Sequence, residues 1–372
     1  MNLKILFLIF LFSMFAVFPE NWESKLRDRI QKNNFPLWME KQIEADLEIF
    51  QKGGIKSSSL DEIIAEGDKL GNNPCLFARY KIKNGEFSVA YSKRLEISPK
   101  ERYESVTNAL MKLSECVFLP DVDIIVCLHD KLISTGALEG PILVFAKNPG
   151  TDSRRILIPD SEALGGYADL LQEVDRARIA FPWRRKIRRA IWRGQTAGQI
   201  NGDAMTTHNY SIFPRGQLIN ISLQFPKYLD AKFTQLWPDD NLRELFLQKR
   251  CLANHMSVFN QIRYKYQILV DGNTCAYSRA YWQLHSNCVI LKQNSPDIQW
   301  YYGIFKPFIH YIPVNSDSSD LPEKVQWAIN HEYEVQQIIK RANNLANENL
   351  KYEDIMLYFY LVIKKYSELM IN

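Results

Sequence analysis

Residues Tyr264 to Trp282 read YKYQILVDGNTCAYSRAYW, and the fold turns on how this stretch is divided. Tyr264 to Val270 is apolar and β-prone, Asp271-Gly272 is a turn signal, Ala276 to His285 runs as a helix, and Cys288 to Leu291 returns as a strand. A strand, tight loop, helix and second strand form one unit of a parallel α/β sheet. The first turn of such a helix directs unpaired backbone N–H groups, with the positive end of its dipole, at whatever sits above the strand end. Phosphates fit there. Gly272 allows close backbone approach, and Ser278 and Arg279 lie in the first turns of the helix, where a hydroxyl and a guanidinium contact phosphate oxygens. On this stretch alone a plain turn followed by a solvated arginine remains the alternative.

The neighbouring sequence repeats the alternation. AIWRG, QLINISL, RYKYQILV and NCVILK are strand candidates, separated by helices such as DDNLRELFLQKRCLANHMSVFNQI. Upstream, LFARYKIKNGEFSVAY predicts a hairpin turning at Asn84-Gly85, ERYESVTNALMKLSECV a helix, and DIIVCL and PILVFA two buried strands. Asn21 to about Asp68 is helical in pattern and ends in a loop carrying Gly53-Gly54 and Ser57 to Ser59. Asp320 to Leu345 reads as a helix opened by Asp-Leu-Pro, and Tyr352 to Met370 as a last helix containing IMLYFYLVI. Nine apolar residues do not span a bilayer, so this helix is expected to pack against protein. The expected organisation is a leader over 1–20, an α/β domain over 21–180, a second over 181–345 and a closing helix over 346–372, with a cleft between strand C-termini.

At 372 residues the chain exceeds one ordinary core, and 46% hydrophobic with 24% charged residues is a globular composition. A net charge of +4 suits an anionic ligand or a membrane surface without demanding nucleic acid. The six cysteines (Cys75, Cys116, Cys127, Cys251, Cys275 and Cys288) have no C-x-x-C spacing and read as buried free thiols. The apolar run from Ile5 to Phe18, broken only by Ser13, is short for a membrane span and reads as an uncleaved anchor or a signal-peptide core.

Three further stretches offer chemistry. In RRKIRRAIWRGQTAGQ, Arg193-Gly194 sits at the end of a strand over Ala190 to Trp192, where an arginine meets the charge of a pyrophosphate leaving group. The preceding arginines, Arg184 to Arg189, have no interleaved stacking aromatics and read as a solvated helix face or membrane-surface patch before they read as a nucleic-acid site. In LPDVDIIVCLHDKL, Asp121-Val122-Asp123 resembles a metal-binding D-x-D but precedes the strand, on the wrong side for a cleft at the strand tops. Asp130 leaves the other end, placed to accept a proton from an attacking hydroxyl, with a helix cap or surface acid as the alternative. His310, in a Pro-bounded loop, reads as a structural hydrogen-bonder.

In order, PDVDIIVCLHD, IWRG, RGQLINIS followed by YLDA, YKYQILVDGN with SNCVILK, and FKPFIHYIPV with SDL resemble glycosyltransferase family 90 over about residues 110 to 345. The family includes fungal capsule-associated proteins, bacterial lipopolysaccharide-modifying transferases and animal protein O-glucosyltransferases. The resemblance implies a GT-B-like α/β architecture, two Rossmann-type domains with the second holding a UDP-sugar, and inverting transfer without a metal or other cofactor. It implies that Asp130 is the general base and that Arg193, Arg215, Asp271 and Gly272 fall on donor-binding positions. The family's nucleotide-binding arginine stands six residues after the loop glycine, which is Ser278 here, so Arg279 is displaced by one. The implied donor sugar is glucose or xylose. The implied acceptor is a hydroxyl of a surface glycan or lipopolysaccharide, with a polypeptide Ser or Thr as the alternative.

Ile262 and His285 stand near positions where lumenal members carry cysteines, and the chain ends in SELMIN without a lumenal retention signal. Both point to a membrane-associated enzyme at the cytoplasmic face, with the secretory lumen as the alternative. The rival from another class is a non-catalytic, membrane-associated nucleotide-sugar or polyanion binder.

Overall fold

The computed structural model describes residues 21–69, 77–91, 100–130, 140–200, 203–236 and 242–371. The expected N-terminal anchor and Cys75 lie outside the described residues. The molecule is a mixed α/β protein with two five-stranded sheets, the GT-B-like arrangement of two Rossmann-type halves facing a cleft.

The N-terminal sheet orders its strands Glu86–Tyr91, Phe77–Lys83, Val122–Cys127, Ile142–Val144 and Arg155–Leu157. The first two form the expected hairpin. Asn84 and Gly85 both take positive φ, 52° and 77°, which is the requirement of a two-residue turn matched to strand twist. From Val122 onward the pairing is parallel. Val122–Cys127 is buried along its whole length, as a strand covered on both faces must be.

The second sheet is parallel throughout, in the order Leu229–Gln235, Ile187–Gln195, Tyr264–Leu269, Val289–Gln293 and Ile312–Val314. The opening stretch divides as expected: strand Tyr264–Leu269, loop, helix Tyr277–His285 and strand Val289–Gln293. QLINISL, expected as a strand, lies instead in the helix Pro214–Gln224. Its β-branched isoleucines mislead; Pro214 starts the helix, and Leu218, Ile219 and Ser222 are buried at helical spacing. The strand comes one turn later, at Leu229–Gln235.

The long helix expected before Ile262 is two short ones, Arg243–Gln248 and Val258–Gln261. Arg250 at φ 56° ends the first, and Phe233 then bonds the intervening chain, donating to Cys251 O and accepting from Ala253 N, both at 2.9 Å. The helix expected over Asp320 to Leu345 breaks at His331 into Leu321–Asn330 and Glu332–Asn349. Ser57 to Ser59, expected in a loop, form the first turn of the helix Ser57–Lys69.

The final helix Tyr352–Glu368 is the most buried in the molecule and joins the core of the N-terminal half, where it meets the first helix, Trp22–Gln31. Arg29 pairs with Asp354 there, and Trp22 meets Tyr352 edge-on at 5.0 Å. The same apolar cluster continues into the helix Tyr277–His285, where Tyr281 stacks on Tyr167 at 4.1 Å. That helix is therefore anchored to both halves while its N-terminus faces the cleft. No helix among the described residues is long and apolar enough to cross a membrane. The five described cysteines are all buried and free, as expected.

Candidate active site

A cavity of about 480 Å³ opens between the C-terminal ends of the two sheets. The first half supplies Asp130, just past strand Val122–Cys127, together with Arg102 and Glu162. The second supplies Gln195 at the end of its strand, Arg215, and Gly272 through Arg279 after strand Tyr264–Leu269.

Arg215 and Arg279 dominate the second wall. Their guanidinium carbons lie 5.6 and 5.9 Å from the centroid of the buried Trp192 indole, so one ring carries both cations. Each donates only to neutral oxygens among the described residues. Arg215 Nε reaches Asp271 O at 3.1 Å and its Nη1 reaches Gln195 O at 2.9 Å. Arg279 Nη1 reaches Gln261 Oε1 at 3.2 Å, and its Nη2 donates to Arg193 O. Burial pushes Arg215 down to about 10, against the pull of Asp271 and Asp130. Burial and the neighbouring Arg215 together push Arg279 down to about 9. At pH 7 both remain charged, at a cost in desolvation and mutual repulsion that a bound anion would offset.

The loop is shaped to this pair. A Cβ at Gly272 would lie 2.5 Å from Arg215 Nη2, so only glycine lets the guanidinium lie flat against the turn. Gly194 has a similar reason: a Cβ there would meet the Trp192 ring at 2.5 Å.

On the facing wall Asp130 is held from three directions. Arg102 donates through Nη2 to Oδ1 and through Nη1 to Leu128 O at 2.9 Å. Asn273 Nδ2 donates to Oδ2 at 3.0 Å, and the Tyr277 hydroxyl donates to the main-chain carbonyl at 2.8 Å. Burial alone would raise the carboxyl, but the Arg102 charge and the bonds from Asn273 and Arg102 outweigh it and hold it below the usual aspartate range. The carboxylate is ionised at neutral pH and held in one orientation. Among the described residues two donors, Arg102 and Asn273, take two of its roughly four acceptor positions.

Of the residues singled out from sequence, Asp130, Arg215, Gly272, Ser278 and Arg279 line the one cavity. Arg193 and Gly194 do not. The Arg193 guanidinium turns toward the neighbouring strand, where Nη2 pairs with Asp230 Oδ2 at 2.9 Å and Nη1 reaches Asp230 O at 2.6 Å. Its contribution to the cleft is the carbonyl that accepts from Arg279. Asp271 likewise offers its carbonyl, to Arg215. Its carboxyl is buried beside Lys292 and Ser295 and raised by that burial.

The Asp121-Val122-Asp123 motif is structural. Asp123 is clamped by Arg79 through Nε at 2.7 Å and Nη2 at 2.8 Å, with Lys81 at 3.1 Å and the Ser57 hydroxyl at 3.0 Å. Asp121 caps the hairpin by accepting from Asn84 N at 2.7 Å. His310 accepts from Lys306 N through Nδ1 at 2.9 Å, a loop bond. Arg184 and Arg185 lie on a single 3₁₀ turn and Arg188 near the start of the strand Ile187–Gln195, all exposed, so the run forms no helix face.

Arg102, Asn273, Tyr277 and Gln261 escaped the sequence reading. One signal links the three cleft arginines. Arg102, Arg215 and Arg279 each occupy the first turn of a helix, starting at Lys100, Pro214 and Tyr277. That is the end at which the dipole disfavours a cation. Cations placed against three dipoles around one cavity mark a site that expects negative charge.

The chain covers 62% of the Protein O-glucosyltransferase 2 of Danio rerio, to which it is 28% identical over 339 residues, 89% of its own length. It is 29% identical to the Protein O-glucosyltransferase 3 of Homo sapiens over 268 residues, 70% of this chain and 49% of that one. Among solved structures, a crystal structure of Anabaena HepE in complex with UDP-glucose matches 53% of both chains at 10% identity and a TM-score of 0.35. A glycosyltransferase from Rickettsia africae matches 62% of this chain and 64% of its own at a TM-score of 0.37. Those two likenesses are too distant to carry an argument. The family model for glycosyl transferase family 90 matches residues 36–372, and the chain belongs to that family.

Proposed function

We propose that this chain is an inverting, UDP-sugar-dependent glycosyltransferase that moves glucose onto a hydroxyl group. The observation that carries the reading is the pair of half-buried guanidinium groups, Arg215 and Arg279, without a carboxylate hydrogen-bond partner among the described residues and facing an ionised Asp130. A nucleoside diphosphate supplies two negative charges for the pair, and its transferable sugar extends toward Asp130. The acceptor hydroxyl gives its proton to Asp130 as its oxygen attacks the anomeric carbon. The bond to the diphosphate oxygen breaks on the opposite face, so the configuration inverts.

The charge developing on the departing UDP is met by both arginines and by the start of helix Tyr277–His285. With fixed cations in that role, the reading includes no metal. The names of the relatives support glucose as the sugar and a protein hydroxyl as the acceptor; a glycan hydroxyl is the other outcome of an acceptor screen. The same names count against the non-catalytic rival, which would bind UDP without turnover.

The test is UDP-glucose turnover, scored as UDP released and as glucose transferred to candidate acceptors, in the wild type and in Asp130→Asn. The proposal expects the variant to lose turnover and keep its affinity for UDP. Turnover retained in the variant contradicts the base assignment, and wild type that binds UDP without ever releasing it from UDP-glucose supports the binder instead.

A further inference from the structure

An asparagine following a turn glycine normally serves the turn itself, its side-chain oxygen accepting from a backbone N–H two residues on. Asn273 does not. Its Oδ1 is buried and has no partner among the described residues, while Nδ2 crosses from the Gly272 loop to Asp130 Oδ2 at 3.0 Å. The orientation of the amide follows from chemistry, because an ionised carboxylate only accepts and so faces the NH2 group. Backbone contacts close the loop without this side chain: Gly272 N donates to Thr274 O at 3.0 Å, and Arg215 holds Asp271 O. The amide is thus spent on the base and not on the turn.

The two oxygens of Asp130 are divided between the halves of the molecule. Oδ1 belongs to Arg102, in the helix Lys100–Cys116 of the first half, and Oδ2 to Asn273, in the loop that lies against the Arg215 guanidinium. We infer that Asn273 is a positioning residue through which occupancy of the donor site sets the orientation of Asp130. An anion drawn onto Arg215 moves the guanidinium on which Gly272 rests, and the next residue transmits that movement to the base. The inference rests on the donor-site reading above and adds to it a physical link between donor binding and readiness of the base. Among the described residues, the charged and titratable groups that act with Asp130 are Arg102, His129, Tyr277 and Arg215, and a change at Asn273 is read against these neighbours.

The test is carboxyl carbon NMR of full-length protein labelled at aspartate, with Asp130→Asn to assign the Asp130 signal and calorimetry to follow UDP binding. In the wild type, UDP is expected to move the Asp130 signal. In Asn273→Ala, UDP binds within about twofold of wild-type affinity, but the Asp130 signal no longer responds to it. Asn273→Asp keeps the size of the side chain and places a second carboxylate against the first, which raises the Asp130 titration by about one to two pH units. A purely structural side chain would leave the response of the Asp130 signal to UDP intact in Asn273→Ala. An Asp130 signal that still responds to UDP in Asn273→Ala, or a titration unchanged in Asn273→Asp, overturns the inference and leaves the donor site standing. Failure of UDP to bind the wild type overturns both.

Discussion

The two ends of strand Val122–Cys127 each hold an aspartate gripped by an arginine, Asp123 buried and Asp130 half-buried, and the two pairs differ in what they leave open. At the N-terminal end Asp123 meets Arg79 through two nitrogens, then Lys81 and Ser57, so its lone pairs are consumed by protein. At the C-terminal end Asp130 receives one guanidinium nitrogen and one amide from the described residues and faces a cavity. Charge alone does not separate them, since both carboxyls are held below the usual range by their partners against the cost of burial. Unspent hydrogen-bonding capacity does. The same test sorts three arginines of the second half: Arg193 is matched to Asp230, whereas Arg215 and Arg279 donate to neutral oxygens only among the described residues.

Substitutions at the two ends should therefore fail in different assays. Asp130→Asn is expected to lower turnover about 10²- to 10⁴-fold, the range of a lost general base, with a modest fall in melting temperature from the lost Arg102 pair. Asp123→Asn leaves the partly buried Arg79 with Asp61 as its remaining carboxylate among the described residues, and should cost about 1–3 kcal/mol in denaturant unfolding while turnover per folded molecule stays near wild type. If Asp123→Asn lost turnover without losing stability, the distinction between the two ends would collapse. Arg279→Ala should weaken UDP binding by about a hundredfold, the value of a charge-assisted contact of roughly 2–3 kcal/mol, measured by calorimetry.

The smallest effect concerns pH. Asp130 titrates below the ordinary aspartate value of 3.8, so its ionisation contributes stability above that pH which is lost as pH falls through the lower folded-state value. Arg102→Gln removes the main charge opposing burial and should move the acid limb of kcat/KM to higher pH by about a unit. A limb that stays in place would show that Arg102 does not govern the base.

The sequence makes some of this legible and hides the rest for identifiable reasons. Tyr264–Leu269 and Val122–Cys127 read correctly because each is a short apolar run closed by a turn or polar signal, and Asn84-Gly85 specifies its hairpin locally. Pro214–Gln224 reads wrongly because Ile219 and Ile221 favour a strand in isolation, and only packing reveals the helical spacing of the buried positions. Arg193 stands beside a glycine at a strand end, as a phosphate ligand would. What directs it away is Asp230, one strand over, and that neighbour is invisible until the pairing of Ile187–Gln195 with Leu229–Gln235 is known. Arg279, one position later than its family counterpart, reaches the cleft at Gln261 and the Arg193 carbonyl. Arg102 and Asn273 were unreadable because each acts through a residue 28 or 143 positions away.

The most direct test of the central claim is a crystal structure of the protein with UDP bound. The account predicts diphosphate oxygens within hydrogen-bonding distance of the Arg215 and Arg279 guanidinium groups and of the helix start at Ser278, with the open side of Asp130 facing the terminal phosphate. A diphosphate seated on Arg193, or anywhere that leaves Arg215 and Arg279 without an anionic partner, would contradict it.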